Sequence, residues 1–182
     1  MMKFVEYITL SNSVEIGVDA GTVWRFFDNL EENYKAWHPQ DHISCRWTKG
    51  RPHEVGSIVE AVERIAGKAR TIRMTCTAVE ENKRIEYKTS LPLALFHPSS
   101  AYLIKETGPD GIEFTALDRF RVPLLLRPIL APLISATDRH IKEEGQNLKR
   151  LLERAPSQDQ GLVPEPLLQR SLSHSGQSPS DA

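Results

Sequence analysis

Between Leu130 and Arg154 the apolar residues recur three and four positions apart. At about 100° per residue, Leu133, Ala136, His140, Glu144, Asn147, Leu148 and Leu151 share one arc, while Arg139, Lys142, Lys149 and Arg150 face away. The pattern predicts one long amphipathic helix with a histidine and a glutamate one turn apart on its buried face. Upstream the period falls to two. The stretch from Phe4 to Ile16 alternates loosely and holds Val5, Tyr7, Thr9, Val14 and Ile16, all good strand formers. After it, Val23, Trp24, Phe26, Phe27 and Leu30 return to helical spacing behind Asp19, a suitable N-cap, which predicts one or two short helices. Ile43–Thr48, Ser57–Ile65, Arg70–Val79, Arg84–Thr89, Ala101–Glu106 and Ile112–Val122 then read as strands. Gly50, Pro52 and Gly56, and the ENK and GPDG segments, mark reversals of direction between them. The run LPLALFHPSS, residues 91–100, carries two prolines and suits a loop or an irregular edge.

The order strand, two short helices, about six strands and one long helix predicts an α+β fold. Its curved antiparallel sheet needs its concave face covered, and only the last helix is long enough to do so. Between such a sheet and a helix lying across it there is room for a small molecule. Leu124, Leu125, Leu126, Ile129 and Leu130 read as core at the start of that helix, with the lip of a cavity as the alternative. From Ala155 to Ala182 the chain is rich in Pro, Ser, Gln and Gly, so residues 1–154 are expected to form one domain and 155–182 a disordered tail. His174, in that tail, is expected to face solvent.

Composition narrows the function. With 182 residues and 40% hydrophobic content the chain can bury one good core. Its 23 basic and 24 acidic residues give no field that would draw nucleic acid or an anionic membrane. Cys45 and Cys76 form no CxxC motif or dense framework, and no stretch of 18 apolar residues or secretory leader is evident. A soluble cytoplasmic protein is expected. Periodicity does not set the oligomeric state, and a homodimer stays open.

The candidate chemistry lies in three places. His140 and Glu144, at i and i+4, can offer a nitrogen and an oxygen to one cation from a single helix. The segment YKAWHPQDHISCRW, from Tyr34 to Trp47, sets His38 and His42 where a short helix gives way to a strand. In the next strand, Val59, Ala61, Glu63 and Ile65 make an apolar face interrupted by one acid, which needs a cation or a donor if it is buried. The mirror register, with Ile58, Glu60, Val62 and Arg64 inward, offers Glu60 instead, just as His38 stands beside His42. His53 and Glu54 sit in the turn GRPHEVG and are expected to be exposed.

Together, YKAWHPQDH, VGSIVEAVERIAGK and RHIKEE resemble the metal-dependent hydrolases that remove an acyl group from phloroglucinol rings, the diacetylphloroglucinol and phloretin hydrolase group. The resemblance spans roughly residues 14 to 154 and leaves an N-terminal region of the characterised enzymes unmatched, so it bears on the metal more than on the substrate. It implies the helix-grip fold of the START and polyketide-cyclase superfamily, shared with birch-pollen-allergen-like proteins. It also implies one divalent cation, with zinc expected, held by His42, Glu63, His140 and Glu144. Tyr34, eight residues before His42, corresponds to a tyrosine that contacts substrate, and His97 is the looser counterpart of a histidine that acts on it. Two neutral imidazoles and two carboxylates would neutralise a divalent ion, and such an ion activates water and polarises a carbonyl. The expected substrate is a small aromatic or polyketide-like compound, an acylated polyphenol or a related β-dicarbonyl, cleaved at a carbon-carbon bond. A carrier of hydrophobic ligands and a metal-free cyclase or dehydratase are the competing classes, because one fold hosts many tasks.

Overall fold

The computed structural model describes residues 4–154, so the expected tail and His174 lie outside the described residues. Strand β1 (Val5–Ile16) leads into α1 (Ala20–Asp28) and α2 (Leu30–Trp37). Strands β2 (His42–Lys49), β3 (Ile58–Ile65), β4 (Lys68–Glu80), β5 (Arg84–Thr89), β6 (Ser99–Gly108) and β7 (Gly111–Pro123) follow, and α3 (Arg127–Arg154) closes the described chain. The strands form one sheet in the order β1-β7-β6-β5-β4-β3-β2, antiparallel at every pairing. This is the helix-grip fold, with two short helices inserted after the first strand and the long helix packed against the sheet. Among the described residues no helix is long and apolar enough to cross a membrane.

Local chemistry accounts for the element ends. Asp19 caps α1 by accepting from the Thr22 backbone N–H at 2.9 Å. At the β3–β4 hairpin, Ala66 and Gly67 both take positive φ, the two-residue turn whose twist suits paired strands. Alternation then decides what faces the helix: Val59, Ala61 and Ile65 are buried on β3, and Ile112, Phe114, Ala116, Phe120 and Val122 on β7. The buried side chains of β1, β7, α1, α2 and α3 join in one core around Phe27, Trp37 and Phe114.

Helix α3 starts three residues earlier than its periodicity indicates and runs through Pro132. Its buried face holds Thr137, His140, Ile141, Glu144, Gly145 and Leu148, so of the expected arc His140, Glu144 and Leu148 are buried while Leu133, Ala136, Asn147 and Leu151 are half-buried at its edge. Gly145 has a steric reason to be glycine: a Cβ there would stand 2.8 Å from Asn12 Oδ1 on β1. The expectation that Leu124, Leu125 and Ile129 form helix-start core fails. Leu125 is 92% exposed and Ile129 72%, because the buried face of α3 begins only with its later turns. The 91–100 segment is irregular as expected, with a short 3₁₀ turn at Leu93–Leu95, but its last two serines already belong to β6.

Candidate functional site

The end of α2, the start of β2, the middle of β3 and the centre of α3 converge on one buried cluster. His42 opens β2 opposite Glu63 of β3 in the strand register. From the helix above, Glu144 brings its Oε1 to 3.0 Å from His42 Nε2 and 3.6 Å from His140 Nε2. Glu63 Oε2 lies 3.7 Å from the same His140 nitrogen. One donor atom each from His42, Glu63 and His140 falls within 4.8 Å of the other two, the spacing of ligands around a single ion. The structure therefore sets three of the four residues expected to hold a metal at that spacing, with the fourth, Glu144, beside both imidazoles.

Hydrogen bonding fixes the state of both imidazoles. His42 Nδ1 lies 2.8 Å from the Tyr34 carbonyl oxygen, which can only accept, so Nδ1 carries the proton and Nε2 presents a lone pair. His140 Nδ1 faces Asp41 Oδ2 at 3.4 Å, which assigns its proton in the same way. Both Nε2 atoms are buried and have no hydrogen-bond partner, and the 3.0 Å contact of His42 with Glu144 lacks the alignment of a hydrogen bond. In these tautomers two lone pairs confront two carboxylates, an arrangement that a shared proton or a cation between them would satisfy. Burial alone would depress the His140 imidazole, but Glu144, Glu63 and Asp41 outweigh it and hold it above its ordinary value. Burial would raise Glu144, and His140, His42 and His38 outweigh that and lower it. The same carboxylate field that raises His140 favours any positive charge placed between these groups, a proton included.

Neighbouring groups hold this cluster in place. The Tyr34 hydroxyl donates to Glu63 Oε1, and its ring stacks on His42 with centroids 3.9 Å apart and planes 3° from parallel. Burial, then the charge of Glu63, keeps the Tyr34 phenol far above its usual pKa, so it remains a donor. Trp37, behind the cluster, donates its indole N–H to the Glu144 carbonyl at 3.0 Å. These contacts orient ligands in the manner of groups that support metal sites.

The alternatives left open by the sequence are separated here. His38 is buried rather than on the surface, but both its nitrogens are engaged: Nδ1 accepts from the Asp41 N–H at 3.2 Å and Nε2 reaches Glu143 Oε2 at 3.1 Å. His42 alone of the two keeps a free nitrogen. Glu60 lies on the other face of β3, paired with Arg46 at 2.7 Å. Glu54 is exposed as expected. His53 is not, since it packs on Trp24 with centroids 3.9 Å apart, shielded by the α1 helix that carries both Trp24 and its partner Asp28.

A cavity of about 60 Å³ between sheet and helix has Glu63, His140 and Glu144 in its wall. This holds several water molecules. His97 also lines it and donates or accepts at Nε2 with Asp118 Oδ1, 2.8 Å away, both residues being buried. Tyr34, expected to contact substrate, does not line this cavity, and its hydroxyl is engaged by Glu63. Tyr102 of β6 is the phenol that does line the cavity. Burial, then Glu144 and Asp118, raise its pKa well above the ordinary value, which keeps it protonated. Asp41, Asp118, Tyr102 and Arg70 were missed as site residues. Asp118 was detectable, because it is the one acid on the inward face of β7.

A helix-grip domain whose cavity is walled in part by an imidazole and carboxylate cluster is the class that fold and site define. The chain belongs to the polyketide cyclase/dehydrase and lipid transport family, whose model matches residues 7–153. Among curated proteins no sequence matches it. Norcoclaurine synthase from Thalictrum flavum, solved with dopamine and hydroxybenzaldehyde, superposes with a TM-score of 0.65 at 14% identity, over 85% of this chain and 91% of its own. The ZhuI aromatase/cyclase from a Streptomyces strain gives 0.68 at 12% identity, over 82% and 95%. Major latex-like protein 151 from Panax ginseng gives 0.53 at 15%, over 76% and 99%. At these identities the likeness is one of fold.

Proposed function

We propose that the chain is a metal-dependent hydrolase that cleaves the carbon-carbon bond between an acyl group and a phenolic ring, or the equivalent bond of a small β-dicarbonyl compound. The observation that carries this reading is the pair of buried, unpartnered Nε2 atoms of His42 and His140 facing the carboxylates of Glu63 and Glu144. These four residues would hold a divalent cation, with zinc the expected ion for two nitrogens and two oxygens. When bound, the ion supplies Lewis acidity for activating water and polarising the acyl carbonyl.

The chain's own groups account for the rest. Tyr34 fixes Glu63, Asp41 fixes the tautomer of His140, and the Tyr34 carbonyl fixes that of His42. The apolar side chains Ile72, Met74 and Phe120 line the cavity and keep bulk water from it, and an aromatic substrate would enter only as those side chains move apart. In the overall reaction the oxygen of water bonds to the acyl carbon, the bond from that carbon to the ring breaks, and the ring carbon takes up a proton. His97, oriented by Asp118, and the Tyr102 phenol are the groups in the cavity wall suited to moving that proton. The norcoclaurine synthase structure holds dopamine and hydroxybenzaldehyde, a phenol and a phenolic aldehyde, which agrees with this substrate class.

A second reading is favoured by the family description and by the His97–Asp118 pair: acid and base chemistry on a polyketide-like substrate with no cation. One experiment separates them. Untagged protein, purified without chelator, is assayed for metal and for deacylation of acylphloroglucinols before and after treatment with a strong chelator. The hydrolase reading expects about one ion per chain, loss of activity on chelation and its return with zinc. Activity that survives full removal of metal refutes it and supports the second reading. Absence of both metal and activity leaves a ligand carrier.

A further inference from the structure

Strand β4 carries a charge where its pattern asks for an apolar residue. Its inward positions are Arg70, Ile72, Met74 and Cys76, and the first of these breaks the run. Arg70 stands directly opposite Glu63 in the β3–β4 register, so the two side chains leave the sheet on the same face as neighbours. An ion pair is the ordinary outcome of such a placement. It does not form: Glu63 is held by Tyr34 and turned toward His140, and Arg70 makes no salt bridge among the described residues. Asp118, the other acid in the cavity wall, is taken by His97. Arg70 lines the cavity, its Nε is shut off from solvent, and that Nε has no acceptor. A buried N–H without an acceptor is costly, so the Arg70 Nε, facing a cavity, calls for a partner from within it, a water or a bound ligand.

We infer that Arg70 is an anion-recognition residue, and that the substrate carries a carboxylate which it binds. A guanidinium offers parallel N–H donors whose fork matches the two oxygens of a carboxylate, and it stays charged at any working pH. The nearby carboxylates Glu63 and Glu144 would repel an anion that strayed toward the cluster in the absence of a cation, so the charges in the wall also set which end of a substrate points where. The substrate class is thereby an aromatic or polyketide-like acid, with the acyl group to be cleaved at a different position from the carboxylate. This assignment takes the cavity to be the substrate site, as the proposed function does, but it does not require the metal.

Binding of 2,4-dihydroxybenzoate and of its neutral primary amide to the full chain tests it, in metal-loaded and chelator-treated protein. The acid is expected to bind roughly tenfold or more tightly than the amide, the effect of a charge-assisted hydrogen bond. In Arg70→Met that preference should vanish, with the acid losing far more affinity than the amide, and Arg70→Lys, which keeps the charge without the fork, should restore part of it. Thermal melts of both variants report whether folding is intact. Equal binding of acid and amide to the native protein overturns the inference. So does a preference that persists in Arg70→Met, and if that residual preference disappears on chelation the carboxylate sits on the metal instead. Failure of the hydrolase reading shows separately, as missing metal, and leaves the acid preference of the chelator-treated protein to be read by itself.

Discussion

Two histidine and carboxylate groupings line the same cavity, and they are in different states of completion. In the first, His97 and Asp118 satisfy each other through one 2.8 Å contact. In the second, His42, His140, Glu63 and Glu144 approach to between 3.0 and 3.7 Å, with both Nε2 atoms lacking a partner. Residue types and burial are alike, so the difference lies in direction. Nδ1 of each clustered imidazole is already committed to an acceptor, which turns two lone pairs on two carboxylates. A dyad can be buried as it stands, whereas lone pairs facing anions at these distances need a shared proton or a cation between them. The lesson is that tautomer-fixing contacts, more than proximity, separate a pair that satisfies itself from a set that leaves two buried nitrogens without a partner.

The sharpest way to break that contrast is to remove one corner of the cluster. Glu144→Ala should abolish bound metal and with it hydrolysis, while the His97–Asp118 pair stays intact. Elemental analysis and turnover of an acylphloroglucinol measure the two losses together. The native protein should also gain thermal stability when zinc is added, by about 4 kcal/mol at a thousandfold excess over Kd, and the variant should not. Full metal content in Glu144→Ala would contradict the grouping.

His97→Gln probes the complete pair and should separate from the first variant in kind. Metal content should stay at the native level while kcat falls by roughly 10² to 10⁴, the usual contribution of a general acid or base. An unchanged kcat would remove His97 from the reaction.

How much of this was legible beforehand follows from what each signal depends on. Helical and strand periods are local, so β1 to β7 and α3 could be read to within a few residues. His140 and Glu144 were visible because one helix carries both, and Glu63 because an acid interrupts an apolar face. That second signal was equally present at Arg70 and Asp118, where it was overlooked. Other features depend on partners distant in the chain. His38 and His42 are four residues apart, and their contacts in the fold, Glu143 against the one and Glu144 against the other among them, distinguish them. Tyr34 likewise sits beside the cluster in sequence, yet the sheet places it behind Glu63 and Tyr102 at the cavity. The apolar run at 124–130 misled because composition does not reveal where the sheet beneath a helix begins.

A smaller effect tests the claim about direction itself. Asp41→Asn keeps the size of the side chain but lets an amide face His140 Nδ1, which loosens the tautomer and orientation of that ring. Outer contacts of this type contribute about 10- to 100-fold in metal affinity, so zinc should bind more weakly by that factor with little change in kcat at saturating metal. Competition with a chromophoric chelator measures the affinity. An affinity equal to that of the native protein would mean that packing alone orients His140.

The smallest expected effect separates the two faces of β3. Glu60 and Glu63 are three residues apart on one strand, and alternation sends them to opposite sides of the sheet. Glu60 pairs with Arg46, whose side chain is 70% exposed, so water screens the pair and its loss should cost no more than about 1 kcal/mol. Glu60→Ala should therefore leave metal content, zinc affinity and turnover at native values, with a slight drop in thermal midpoint at most. The same substitution at Glu63 removes a ligand and frees the Tyr34 hydroxyl, and should resemble Glu144→Ala. If Glu60→Ala lost the metal and Glu63→Ala kept it, the strand register would be the mirror of the one described. The cluster, the cavity wall and the placing of Arg70 opposite Glu63 would then all fall together, because each depends on which residues of β3 face the helix.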